Sequence, residues 1–333
     1  MTSSHNNVSF KIPLIEKYTP NNIDDFILED SIKNKFKNMI NNKTIPNMVI
    51  VGNNTTCKTS SILYIANEIY KDTYTDNVLE LTAYNDRCLS IINTKIYLFC
   101  KNKINKKRLI ILDDAETITP KCQILLANLM IKYESNVSMV FICNESDQII
   151  EAIQSKCLII NFSNISKEAL LNRIETICEI ENIQYDMNGL HLLLFVSNYD
   201  IRQTINNLES IKYVFNLINE HNVYLLIDKP KIYYIIEILN NCYSKNYDKI
   251  IELVNNLYIE SYTINEILST FSLFVYDNKK YDTLIFDLSE EDKLNVYEIL
   301  SLAIINNKNS NSLIQFYGLV SKIYKYFEKR IDL

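Results

Sequence analysis

Residues 52–60 read GNNTTCKTS and combine, within nine positions, a glycine, a lysine and four hydroxyl residues, two of them directly after the lysine. The spacing is that of a phosphate-binding loop, G-x-x-x-x-G-K-[ST], with Gly52, Lys58 and Thr59 in register and Cys57 where the second glycine belongs. In such a loop the backbone N–H groups of Asn53, Asn54, Thr55, Thr56, Cys57 and Ser60 face phosphate oxygens, and the N-terminus of the following helix favours the anion. Lys58 would sit on the outer phosphates and the Thr59 hydroxyl on Mg2+. A side chain at position 57 is a departure, because a left-handed backbone there would cost about 1–2 kcal/mol for a residue with a Cβ. A chance G…KT is the competing reading.

About fifty residues on, LIILDDAE (109–116) is an apolar strand ending in two carboxylates. Asp113 is expected in a magnesium shell and Asp114 where a water-activating acid would stand. Glu is usual at the second place. Asp is one methylene shorter and withdraws the carboxylate by about 1.5 Å, a displacement to which rates are sensitive. Solvated acids at a strand end are the competing, lesser reading of the pair. Asn144, closing FICN (141–144), is a candidate for sensing a γ-phosphate or the attacking water, or simply a turn residue. Arg202 leaves a helix at the edge of the Ile201, Ile205, Leu208 stripe, either toward a phosphate or into solvent. The basic cluster KNKINKKR (101–108) is expected in a loop, as solvated charge or as a DNA-backbone contact.

The elements that must hold these residues alternate. Apolar, β-rich runs at 48–51, 78–81, 109–112, 138–143 and 157–160 predict buried strands. Helical periods lie between them at 58–70 and 120–133, the latter opened by Thr119 as N-cap and Pro120 at the first helical position. Strands alternating with helices predict an α/β fold with a parallel sheet covered on both faces. Beyond residue 163 the strand signal fades into amphipathic helices, with breaks expected near Asn246 and around 277–282. Boundaries are expected near 163 and 228, giving segments 1–163, 164–228 and 229–333.

At 333 residues with 47% hydrophobic content, two or three cores are expected. The net charge of −6 argues against a generally basic nucleic-acid binder, so any DNA contact must be local or shared. Eight Cys without a C-x-x-C pair and three scattered His show neither zinc spacing nor a disulfide framework. Only three glycines accompany abundant Asn, Ile, Tyr and Lys, as in an AT-rich genome. The cysteine pattern predicts an intracellular, reduced protein, and the polar N-terminus and the shortness of the longest apolar run, LHLLLFV (190–196), predict a soluble one.

Taken in order, these boxes resemble the small subunits of eukaryotic replication factor C, the clamp loader. IPLIEKYTPNNIDDFI (12–27) is similar to the family's opening box, with Glu16, Lys17, Tyr18 and Pro20 in place. IPNMVIVGNNTTCKTSSILYIA, LELTAYNDRC, LIILDDAE, CNESDQIIEAIQSKC and DIRQTINNLES follow in family order. Within the family the 40-kDa-type subunit, subunit 2 in animals, is the most similar. The resemblance implies an AAA+ core, a lid and a collar; ATP and Mg2+ as cofactors; and Tyr18 and Arg202 at the nucleotide. The implied partners are the other subunits of a hetero-pentamer, a sliding clamp and primer–template DNA, with no membrane. A nuclear location is implied, a viral origin being left open.

The departures from the family pattern are specific. Lys156 replaces the arginine of the Ser-Arg-Cys finger offered to a neighbouring subunit's γ-phosphate, keeping the charge but not the planar fork. Thr19 replaces the arginine of the opening box. Ala127 and Asn128 stand for two arginines, Ile131 for an acid, and Asn93 for a basic residue of the DNA-lining helix. The expectation is a clamp-loader subunit that binds ATP with impaired hydrolysis. The alternatives are a fully active ATPase subunit of the same loader and, less in keeping with the ordered boxes, another AAA+ remodelling ATPase.

Overall fold

The computed structural model describes residues 12–82, 95–101, 107–227, 229–276, 289–307 and 313–331. Asn93, most of the basic cluster, the box after the second strand and the expected break at 277–282 lie outside them. Five parallel strands form one sheet: β1 (Met48–Gly52), β2 (Val78–Thr82), β3 (Arg108–Asp113), β4 (Val137–Cys143) and β5 (Leu158–Phe162), in the order β2-β3-β4-β1-β5. Each begins or ends within two residues of the apolar run that predicts it.

Parity along the strands explains the continuous apolar runs. Val49, Ile110, Leu112, Met139 and Phe141 point to one face, where they pack with Leu126 of α3 (Pro120–Lys132). Met48, Ile50, Leu109, Ile111 and Val140 point to the other, against α1 (Asp30–Asn42) and α2 (Lys58–Tyr70). Alternate residues face opposite sides of a strand, so a sheet covered twice needs apolar residues at every position. In α2 the buried stripe is Ile62, Ile65 and Ala66, as the helical period requires.

Thr119 occupies the N-cap position of α3 with φ −62° and ψ 148°, yet its side chain makes no capping bond. Pro120 follows at the first position, and the Thr119 carbonyl accepts from Gln123 N–H at 3.0 Å. The expected hydroxyl cap is absent, and the carbonyl bond is the ordinary first bond of the helix. The buried Gln123 side chain ties this corner together, donating to the Ile118 and Gln148 carbonyls and accepting from Ile150 N–H.

The chain divides into two compact units, Met1–Asn182 with Asp200–Glu209, and Ile183–Tyr199 with Ser210–Leu333. The first holds the sheet, α4 (Lys167–Ile180) and the start of α6 (Ile201–Val214). The second is mainly helical: α5 (Met187–Val196), α7 (Glu220–Leu226), α8 (Ile232–Tyr243), α9 (Tyr247–Ile259), α10 (Ile264–Tyr276), α11 (Glu290–Asn307) and α12 (Leu313–Ile331). It also contains a short parallel pair that the fading strand signal does not predict, β6 (Gln184–Tyr185) with β7 (Leu217–Ile218). Two residues per strand are too few for a sequence period to register. Gly189 fits beneath this pair because a Cβ there would lie 2.7 Å from Asn219 Cα.

At the foot of α11 the buried Asp292 accepts from Ser289 Oγ at 2.6 Å, Tyr326 Oη at 2.9 Å and the Arg330 guanidinium at 2.6 Å. This joins the start of α11 to the end of α12. Eleven described non-glycine residues have positive φ, among them Lys43, which closes α1, while no glycine does. Among the described residues no helix is long and apolar enough to cross a membrane.

Candidate nucleotide-binding site

The parallel sheet places the C-terminal ends of β1, β3 and β4 side by side, the position at which doubly wound folds bind ligands. Gly52, Asp113 and Asn144 therefore arrive together from three distant parts of the sequence. A cavity of about 700 Å3 opens there, bordered by the loop after β1, the opening box, α4 and the start of α6. Its size is in the range of small-molecule sites.

The loop is built from its ends. Gly52 lies against β5, where a Cβ would come within 2.9 Å of Phe162. The Asn53 amide donates to Asn164 Oδ1 at 2.8 Å, and the Thr56 hydroxyl to the Asn53 carbonyl at 2.9 Å. Thr55 and Cys57 both take the left-handed conformation, φ 63° and φ 65°. This turns the loop into the helix N-terminus at Lys58. Position 57 thus needs the backbone that glycine adopts freely, and Thr55, being β-branched, is the more strained of the two. Burial pushes the Cys57 thiol above its ordinary pKa, against the pull of the nearby Arg173 guanidinium.

The Lys58 ammonium donates to the Gly52 carbonyl at 2.7 Å, the Asn53 carbonyl at 2.6 Å and Asn144 Oδ1 at 3.1 Å. Burial lowers its pKa, opposed by the negative charges of Glu116 and Asp113. The Thr59 hydroxyl lies 3.1 Å and 3.2 Å from the two Asp113 carboxylate oxygens. Burial raises the Asp113 pKa, with the Thr59 hydrogen bond opposing. Asp114 is exposed on the cavity wall with φ 52°, its N–H donating to Asp113 Oδ1 at 3.1 Å. Ser60 also borders the cavity.

Tyr18 and Arg202 border the same cavity from the opening box and from α6. The Tyr18 hydroxyl donates to Glu181 Oε1 at 2.5 Å, and its carbonyl accepts from the Arg173 guanidinium at 3.0 Å. Its pKa is pushed up to about 12 by desolvation first and the Glu181 hydrogen bond second. Arg202 is set at the start of α6 by Asp200, whose carboxylate accepts from Arg202 N–H at 2.8 Å. Lys156 does not border this cavity. It is exposed in the turn between the short helix Glu151–Gln154 and β5.

Magnesium takes hard oxygen ligands and keeps several waters. The Thr59 hydroxyl beside the Asp113 carboxylate fits that chemistry as a two-ligand fragment, to be completed by water and phosphate oxygens. Among the described residues no group of three or more His, Cys, Asp or Glu is placed to hold a metal ion. The left-handed loop, the lysine and the helix N-terminus fit a polyphosphate.

No family model matches the chain. A putative replication factor C small subunit of Acanthamoeba polyphaga mimivirus is 32% identical over 321 residues, covering 96% of this chain and 98% of the relative. The chain belongs to the replication factor C small-subunit family. Replication factor C subunit 4 of Schizosaccharomyces pombe is 33% identical over 248 residues, 73% of this chain and 72% of that one. A probable replication factor C subunit 2 of Dictyostelium discoideum is 30% identical, covering 94% and 92%. Among solved structures, a RuvB variant of Thermotoga maritima superposes with a TM-score of 0.53 at 13% identity, over 67% of this chain and 78% of that chain. The fold is that of an AAA+ α/β core followed by a helical region.

In this replication factor C relative, two residues of the site escape sequence reasoning. Glu116 accepts from Asn144 Nδ2 at 2.6 Å and from Asn144 N–H at 3.3 Å. Arg173, on α4, borders the cavity beside Tyr18 and Cys57. Arg173 carries no motif, and Glu116 closes the LIILDDAE box without a role assigned to it; its only signal is its place two residues past the carboxylate pair. One surface expectation also changes. Ala127 is 4% exposed within the α3 packing, so of the pair 127 and 128 only Asn128 lies on the surface. Ile131, where an acid was expected, is 56% exposed on the same helix.

Proposed function

We propose that the chain is a small subunit of a replication factor C-type clamp loader, the assembly that uses ATP to place a sliding clamp on primer–template DNA, and that it holds Mg2+–ATP while turning it over poorly. The observation that carries the binding half is the convergence of Lys58, Thr59, Asp113, Asn144 and Arg202 on one cavity. When bound, ATP supplies the phosphoanhydride whose cleavage resets the loader. On this reading Lys58 meets phosphate charge, Thr59 with Asp113 holds the metal, and Arg202 with Asn144 contacts the outer phosphate.

The poor turnover rests on Asp114. In-line attack needs water and phosphate held within tight limits, and a carboxylate withdrawn by about 1.5 Å aims the water less well. In trans, Lys156 would offer a neighbour a point charge rather than a fork. The proposed partners are the other loader subunits, a clamp and primed DNA. The proposed division is core 1–163, lid 164–228 and collar 229–333, and the proposed location is the nucleus of a host cell or another compartment in which DNA is replicated.

The test is Lys58→Ala in the assembled complex, with clamp loading and nucleotide occupancy both measured. This subunit should lose its nucleotide while loading stays within about twofold of the unmodified complex, the effect of a surface change rather than of a lost catalytic group. A severe loading defect would place the subunit among the active ATPases of the loader.

A further inference from the structure

Asn144 is oriented from both sides by groups that cannot exchange roles. Glu116 accepts from both of its nitrogens, Nδ2 at 2.6 Å and the backbone N–H at 3.3 Å. On the opposite side its Oδ1 accepts from the Lys58 ammonium at 3.1 Å. An ionised carboxylate only accepts and an ammonium only donates, so one amide orientation satisfies both. Glu116 reaches Asn144 because the left-handed Asp114 turns the chain at the end of β3 into the short helix Ala115–Thr117, alongside the end of β4.

The same chain of contacts sets Lys58. Its three ammonium hydrogens meet three acceptors, the Gly52 and Asn53 carbonyls and Asn144 Oδ1. The lysine is therefore aimed by the protein alone. Of the two N–H bonds on Asn144 Nδ2, Glu116 takes one. The other has no partner among the described residues and can donate to an outer phosphate only while the amide keeps this orientation.

We propose that Glu116 is a positioning residue of the nucleotide site: by holding both nitrogens of Asn144 it fixes the carboxamide so that its oxygen steadies Lys58 and its remaining N–H selects the triphosphate over the diphosphate. This rests on the nucleotide-binding reading above. Glu116 itself touches no phosphate. Gln in its place can donate as well as accept, which removes the constraint and lets the amide turn.

The experiment is a double-mutant cycle on the full-length chain. Dissociation constants for Mg2+–ADP and for the non-hydrolysable triphosphate AMP-PNP are measured for the unmodified chain, Glu116→Gln, Asn144→Ala and the double variant. Glu116→Gln should lower the preference for the triphosphate by about tenfold, the weight of one charge-assisted hydrogen bond. In the Asn144→Ala background the same change should alter that preference by less than about twofold, since coupled residues are not additive. An unchanged preference in the single variant would overturn the proposal. So would an equal loss in both backgrounds, which would mean that Glu116 acts on Lys58 by charge alone. If Glu116→Gln lowers the unfolding temperature too far for measurement, Glu116→Asp withdraws the carboxylate while keeping its charge and should show the same loss. Binding of neither nucleotide by the unmodified chain would overturn the nucleotide-binding reading together with this one.

Discussion

Gly52 and Phe162, partners in the β1–β5 pairing, approach so closely that a Cβ at position 52 would lie 2.9 Å from the Phe162 Cβ and from its carbonyl oxygen. Both obstructing atoms are held by the sheet, so neither moves as a flexible side-chain tip would. Gly52→Ala should therefore destabilise the protein by about 1–3 kcal/mol, the usual range for forced overpacking, and weaken nucleotide binding by displacing the loop. A thermal unfolding midpoint within a degree of the unmodified protein would show that β5 yields.

Cys57 carries a different expectation, because its constraint is conformational rather than steric. With φ at 65° and ψ at 18° it sits where a Cβ is unfavourable by about 1–2 kcal/mol. Glycine removes that strain but adds about 0.4–1 kcal/mol of unfolded-chain freedom. Cys57→Gly should accordingly stabilise by about 0.5–1 kcal/mol on balance, tighten nucleotide binding and leave turnover low, since Asp114 is unchanged. Unfolding and binding curves on the same preparation check both halves.

Tyr18 gives a pH dependence. Its folded-state pKa, about 12, lies above the ordinary 10.0, chiefly through desolvation and then the Glu181 bond. A group with a raised folded pKa contributes stability that is complete below its unfolded pKa and is lost as pH rises through the folded one. The difference in unfolding temperature between the unmodified protein and Tyr18→Phe should be constant up to about pH 10 and decline between about pH 10 and 12. A difference that declines already near neutral pH would point to another group.

Asp292 governs the second unit. Its side chain is 2% exposed and receives bonds from Ser289, Tyr326 and Arg330. Asp292→Ala should cost about 2–4 kcal/mol, because four donors, the Ser289 N–H and hydroxyl, the Tyr326 hydroxyl and the Arg330 guanidinium, lose their acceptor and one is charged. Denaturant unfolding measures it, and the first unit's nucleotide affinity should not change.

The strands and α2 are legible because a doubly covered parallel sheet demands unbroken apolar runs, and MVIV, LIIL and SMVFIC supply them. The candidate loop is legible because its residues are contiguous. Strand order is not, since nothing local records that β1 lies between β4 and β5. Glu116 is hidden for a related reason: its partner Asn144 is twenty-eight residues away and meets it only through the β3–β4 pairing. Arg173 is hidden within an ordinary amphipathic helix. Thr55 shows a subtler failure, for its positive φ falls at a position the motif leaves unspecified.

Glycine has two structural uses, small size and freedom of backbone handedness, and this chain keeps them apart. Gly52 and Gly189 sit where neighbouring backbone leaves no space, and no glycine takes a positive φ. Among the described residues the positive-φ turns fall instead to eleven others, including Lys43, Thr55, Cys57, Tyr199 and Ser261. Asn tolerates that conformation, but Thr, Tyr and Cys do not do so readily. Lys43, Lys245 and Ser261 are exposed, so a single substitution at each should recover stability without touching the core. The molecule carries, distributed along its loops, a reserve of thermal tolerance open to directed evolution.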